Sequence, residues 1–214
     1  MKALVDVSLR ITPDMLVWPG DPSVEIHPRV QIAQGDAANV SELRIGTHTG
    51  THVDPPLHFL QGHEGIDRVP LDVLVGPAVV GHLPRARGPV GPEELDSLGL
   101  ADGVTRLLLK TPNSELWRRP GPVAFPETYA CLSFEGARWV IERGIELIGV
   151  DFLSIEERGA EGHPVHLELL SKGVVIVEGL DLGPAEPGDC TFICMPLRIQ
   201  DGDGGPARAG VIPS

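Results

Sequence analysis

Positive charge is scarce in this sequence. Lys plus Arg number 17 against 30 Asp plus Glu in 214 residues, a formal charge of −13. A nucleic-acid binder needs a basic patch to meet phosphates, so the balance argues against that partner. It leaves room for a local metal site. Aromatic residues are few, at 4%. Cysteine is limited to Cys131, Cys190 and Cys194, and an odd count offers no disulfide framework. Cys190 and Cys194 lie four apart in a strand-like run, ~13 Å at ~3.3 Å per residue, too far for one bridge or one metal. The three thiols are read as core packing. No apolar run reaches the ~18–20 residues that a membrane span needs. Asp6 interrupts the N-terminal stretch where a signal peptide would stay apolar. The expectation is a soluble, cytoplasmic protein without a nucleic-acid or membrane partner.

Glycine (26) and proline (21) are plentiful. They follow no collagen period, so they mark turns and loops. A hydrophobic content of 42% argues against disorder. The length suits one domain, taken as residues 1–214. Strand-like runs recur at Ala3–Leu9, Val24–Ile32, Val40–Thr47, Pro77–Leu83, Thr105–Lys110, Glu146–Val150, Val174–Val177 and Asp189–Pro196. Ser133 is a candidate N-cap for a helix over Phe134–Arg143, with Gly144 at its C′ position. A second helix starts at Pro164 and ends before Gly173, and a short one covers Glu93–Leu98. Each of the first two is followed at once by an apolar strand. The pattern predicts a mixed α/β domain with a largely buried sheet.

Chemistry concentrates in one segment, Thr47-His48-Thr49-Gly50-Thr51-His52-Val53-Asp54-Pro55-Pro56-Leu57-His58-Phe59. Imidazole nitrogen and carboxylate oxygen are ligands suited to Zn²⁺, Mn²⁺ or Fe²⁺. His52 and Asp54 stand i and i+2, on one face of an extended segment, ~6.6 Å apart. His48 would lie ~13 Å from His52 in a fully extended chain, and Gly50 permits the bend that brings it closer. Pro55 and Pro56 exclude a helix here and stiffen the exit. His58 follows near the same place. His63, in a polar loop, reads as solvated, and the isolated His27 and His82 read as structural. Two more ligand candidates lie far along the chain: His166 on the second helix, and Glu178 closing Val174-Val175-Ile176-Val177. A carboxylate ending a buried apolar strand is costly unless paired or bound to metal. Asp151, ending another such strand, is left open between a supporting residue, an N-cap and a substrate contact.

The segment His48-x-Gly50-Thr51-His52-x-Asp54-x-Pro56-x-His58-Phe59 resembles the HxGTHxDxPxHF signature of the metal-dependent cyclase family, which includes bacterial kynurenine formamidases and isatin hydrolases. Trp18-Pro19-Gly20-Asp21, Ile148-Gly149-Val150-Asp151 with Ser154, the pair His166 and Glu178-Gly179-Leu180, and Pro196-Leu197 extend the resemblance from about Val5 to about Leu197. It implies an α/β fold, a compact mixed sheet that is β-barrel-like, of the swivelling β/α/β type. It implies one or two divalent metal ions, Zn²⁺ or Mn²⁺, on His48, His52, Asp54, His166 and Glu178, with Asp54 bridging where two are present. His58 would be the catalytic acid/base and Trp18 would line the substrate pocket. A homodimer or homotetramer is implied, with the site near a subunit interface. The expected reaction is kynurenine formamidase-like hydrolysis of an N-formyl aryl amide. A cyclic amide, an isatin-like lactam, or another amide or ester is the alternative substrate. A non-catalytic metal or small-ligand binding protein is the alternative of another class. The segment Phe152–Glu157 departs from the Thr-Pro-Ser type stretch of the formamidases, and Ser114–Pro126 also departs from their loop.

Overall fold

The computed structural model describes residues 2–214. In chain order its strands are β1 (Val5–Asp6), β2 (Glu25–Val30), β3 (Val40–Arg44), β4 (His52–Asp54), β5 (Val75–His82), β6 (Pro89–Val90), β7 (Arg106–Lys110), β8 (Cys131–Leu132), β9 (Leu147–Val150), β10 (Val175–Glu178), β11 (Gly188–Pro196) and β12 (Gly205–Pro213). The helices are α1 (Leu71–Leu74), α2 (Pro92–Asp96), α3 (Phe134–Glu142) and α4 (Pro164–Ser171). The main sheet runs β1-β12-β11-β5-β7-β9-β10-β4, and β4 pairs back onto β12. The strands from β12 to β4 therefore close into a seven-stranded mixed barrel. The expected barrel-like α/β fold is the one observed.

Local chemistry explains the order. β5, β7, β9 and β10 are mutually parallel. Parallel neighbours need crossovers, and α2, α3 and α4 supply them in turn. The Ser133 hydroxyl accepts from the Gly136 amide at 2.9 Å to start α3, as its sequence suggests. Pro164 occupies the first turn of α4. Side chains alternate along each parallel strand. Leu108, Leu147, Val175 and Val177 point into the barrel with Val53, Phe192, Cys190, Cys194 and Val211. Leu107, Leu109, Ile148 and Ile176 point outward under Leu95, Val140 and Leu169 of the helices. Both faces are buried, so these strands read as unbroken apolar runs rather than alternating ones. Each such Leu or Ile contributes about 1.5–3 kcal/mol by leaving water. All three cysteines are free and buried, as expected.

Two features position chemistry. β4 lies antiparallel to β10 with His52 directly opposite Glu178, which sets those side chains on adjacent strands within about 5.5 Å at Cα. The β2–β3 ribbon stands apart from the barrel sheet, and every residue of β3 is exposed. Among the described residues, no helix is long and apolar enough to cross a membrane.

Candidate metal centre

The bend at Gly50 builds the site. Its φ is +67°, a region open to glycine and strained for other residues. It turns the chain between His48 and His52. Beyond the bend, the Thr51 hydroxyl accepts from the Leu9 amide and donates to the Gly179 carbonyl, and the Thr51 carbonyl accepts from the Ala207 amide. Three segments distant in sequence are thereby fixed to the residue next to His52.

His48 Nδ1 lies 2.9 Å from Asp54 Oδ1. His52 donates from Nδ1 to the Gly50 carbonyl at 2.9 Å. Its Nε2 is left facing inward, 3.4 Å from Asp54 Oδ1 and 3.5 Å from Glu178 Oε2. Glu178 Oε1 accepts from the Ile155 amide at 2.7 Å and lies 3.3 Å from His166 Nε2. His52, Asp54 and Glu178 offer ligand atoms that converge, as do His48, Asp54 and His58. The five residues expected as ligands form one chain of contacts, His48–Asp54–His52–Glu178–His166, and His166 also converges with Glu156 and His163. His58 stacks on His48 with ring centres 3.8 Å apart. Trp18 shares with His48, His52, His58, His166 and Glu178 the wall of a cavity of about 170 Å³. Phe125 and Tyr129 meet the Trp18 ring edge-to-face.

The donor set fits a divalent cation. His48 Nε2, His52 Nε2 and Asp54 Oδ2 are buried and have no hydrogen-bond partner, an arrangement that costs free energy unless something else binds them. The donors are nitrogen and carboxylate oxygen, without sulfur. The charge pattern agrees. Burial disfavours the charged His52 ring, but Asp54 and Glu178 outweigh it and hold its pKa at about 10. Burial likewise opposes charge on His166, but Glu156 and Glu178 bring its pKa to about 10. Burial pushes Asp54 up, yet the hydrogen bonds from His48 and His52 leave it well below the usual carboxylate range. His58, away from direct carboxylate contact, is pulled below its ordinary value by burial. The carboxylates draw positive charge onto the cluster's histidines, a balance a divalent ion would supply in place of those protons.

The Cyclase family model matches residues 5–157. The chain belongs to the Cyclase family. It is 35% identical over 211 residues to the kynurenine formamidase of Geobacillus thermodenitrificans, covering 99% of this chain and 98% of that protein. A solved structure described as a potential metal-dependent hydrolase with cyclase activity superposes with a TM-score of 0.84 at 30% identity, over 100% of this chain and 99% of the other. Isatin hydrolase A of Labrenzia aggregata superposes with a TM-score of 0.83 at 23% identity, over 99% and 93% of the two chains, a likeness of fold.

His27, His63 and His82 lie away from the cluster in this cyclase fold. His63 is exposed on its loop, and His27 is exposed on β2 beside Glu25. His82 is exposed at the end of β5, away from the cluster. Asp151, left open by sequence, is buried and accepts from the Thr111 and Ser114 amides and hydroxyls. It anchors the turn over Pro112–Arg118 rather than facing the cavity. Sequence reasoning missed Glu156 and His163, which line the cavity beside His166, and Gly204, where any Cβ would strike the His48 ring. The spacing of His163 and His166 around a helix start is a signal that could have found His163.

Proposed function

We propose that this chain is a metal-dependent amidohydrolase that cleaves the formyl C–N bond of an N-formyl aryl amine. The reading is carried by one observation: His52, Asp54 and Glu178 converge, with His48 beside Asp54 and His166 beside Glu178, and polar atoms of His48, His52 and Asp54 lie buried without partners. The kynurenine formamidase relatives supply the substrate class.

These five side chains would hold one or two divalent ions, Zn²⁺ or Mn²⁺. A bound ion supplies an acidified water and polarises the substrate carbonyl. His58, with its pKa below the ordinary value, is neutral at pH 7 and able to take a proton. From the cavity wall it accepts a proton from the attacking water and returns it to the leaving aryl nitrogen. Trp18, backed by Phe125 and Tyr129, offers an aromatic edge of the pocket to the substrate ring.

Elemental analysis followed by assay on N-formylkynurenine, formanilide and isatin tests the reading. Metal bound near one or two equivalents, with turnover of the formamides above isatin, supports it. Turnover of isatin alone makes the enzyme a lactam hydrolase. Metal without turnover on any amide, lactone or lactam makes it a binding protein. The assembly is read as a homodimer or homotetramer, supported by the exposed Ile26, Val40 and Leu43 on the projecting β2–β3 ribbon. Light scattering of the purified protein measures it.

A further inference from the structure

Glu156 is a carboxylate only 2% exposed, and the reaction described above gives it no task. It faces no Lys or Arg within ion-pair distance among the described residues. Its partners all belong to the start of α4. Oε1 accepts from the Val165 amide at 2.7 Å. Oε2 lies 2.9 Å from His166 Nδ1 and 3.3 Å from His163 Nδ1.

We propose that Glu156 is a positioning residue that fixes the tautomer and orientation of His166, so that Nε2 is presented to the metal. The inference rests on the metal-dependent reading above. A neutral imidazole carries a single N–H. Both ring nitrogens face a carboxylate: Nδ1 lies 2.9 Å from Glu156 and Nε2 lies 3.3 Å from Glu178. With Nε2 given to a metal, the single remaining proton sits on Nδ1, donated to Glu156 Oε2. Partners of this kind hold metal-binding histidines in one ring orientation.

The local backbone explains why a carboxylate is needed here. His163 occupies the N-cap of α4 with φ +52°, and its side chain caps nothing. The helix start is left with unpaired amides. Glu156 meets one of them at Val165 and, with its other oxygen, the ring one residue further on. The same loop reaches Glu178, through the Ile155 amide. Adjacent residues, Ile155 and Glu156, therefore orient both distal members of the cluster. Phe59 closes the remaining face by stacking on the His166 ring, centres 4.4 Å apart.

Two measurements test this. The first titrates metal-stripped wild type and Glu156→Gln with Co²⁺, following the visible bands. Gln cannot offer acceptors to both Val165 and His166, because one side of its amide is a donor. Co²⁺ affinity is expected to fall about 10–100-fold, with altered band positions. Unchanged affinity and bands, with only a lower melting temperature of the metal-free protein, would reduce Glu156 to a helix cap and overturn the proposal. If wild type itself takes up no Co²⁺, the metal-dependent reading fails and this one falls with it. The second needs no stable variant. ¹⁵N-histidine NMR of the Zn²⁺-loaded wild type, assigned with His166→Gln, should show His166 protonated at Nδ1 and not at Nε2. A proton on Nε2 sinks the proposal.

Discussion

Gly179 lies against Gly50. A Cβ placed on Gly179 would stand 2.1 Å from the Gly50 carbonyl oxygen and 3.1 Å from the Thr51 amide. The φ of Gly179 is +65°, so its conformation also favours glycine. This contact joins the end of β10, with Glu178, to the bend between His48 and His52. Gly179→Ala should lose at least about 2 kcal/mol of stability, from the left-handed conformation and the backbone displacement together. Metal content should fall as well, because the strand carrying Glu178 must move. Urea unfolding and elemental analysis of the variant check both; a fully loaded, equally stable Gly179→Ala protein would show that the approach is not required.

His58 and His52 should part company on substitution. His52 Nε2 faces two carboxylates in the buried cluster, whereas His58 stacks over His48 at the cavity wall. His52→Ala should strip the metal. His58→Ala should keep it and lower kcat by about 10²–10⁴-fold, the usual contribution of a positioned acid/base. Elemental analysis with steady-state assay separates the two, and loss of metal from His58→Ala would remove its acid/base role.

Much of this was legible in the sequence, for physical reasons. His48, His52 and Asp54 come from one short segment whose glycine and prolines dictate its course. β9 and β10 announce themselves because a parallel strand under helices buries both faces. Glu178 was recognisable because a carboxylate at the end of such a strand needs a partner. Closure of the barrel was not legible. β12 contains Gly-Pro-Ala-Arg-Ala-Gly, with no run of strand-forming residues, and is defined by pairing with β11 and β4 far away in sequence. Glu156 was hidden for the same reason: it lies in an irregular segment after β9, and only the fold delivers it to α4.

Metal uptake should release protons. His52 and His166 both have pKa values of about 10 in the metal-free cluster, yet a ligating imidazole must be neutral. Binding at pH 7 therefore expels about two protons, and affinity rises with pH. The metal-free protein carries the opposite linkage. Histidines with raised pKa contribute stability that is complete below about 6.5 and is lost as pH rises through about 10. Asp54, held low, contributes stability above about 3.8 that is lost in acid. Calorimetric titration in buffers of different ionisation enthalpy gives the proton count. A count near zero at pH 7 would show that the rings are already neutral without metal.

Asp151 sets the last expectation. Burial pushes its carboxyl up to about 6, against the hydrogen bonds from Ser114 and Thr111 that favour ionisation. A raised carboxyl takes up a proton on folding between about 3.8 and 6. Its contribution to stability is therefore greatest below about 4 and declines as pH rises through 6. Asp151→Asn removes that decline. Its amide oxygen can still accept from the Thr111 and Ser114 amides, and the Thr111 hydroxyl can turn to accept from its nitrogen. The cost should be about 1–2 kcal/mol at neutral pH. Asp151→Ala leaves those donors unpaired in the interior and should cost about 3–5 kcal/mol. Urea unfolding of the three proteins at pH 4 and pH 7 measures the order. If Asn and Ala prove equally destabilising at pH 7, hydrogen bonding to the turn is not what holds Asp151 there.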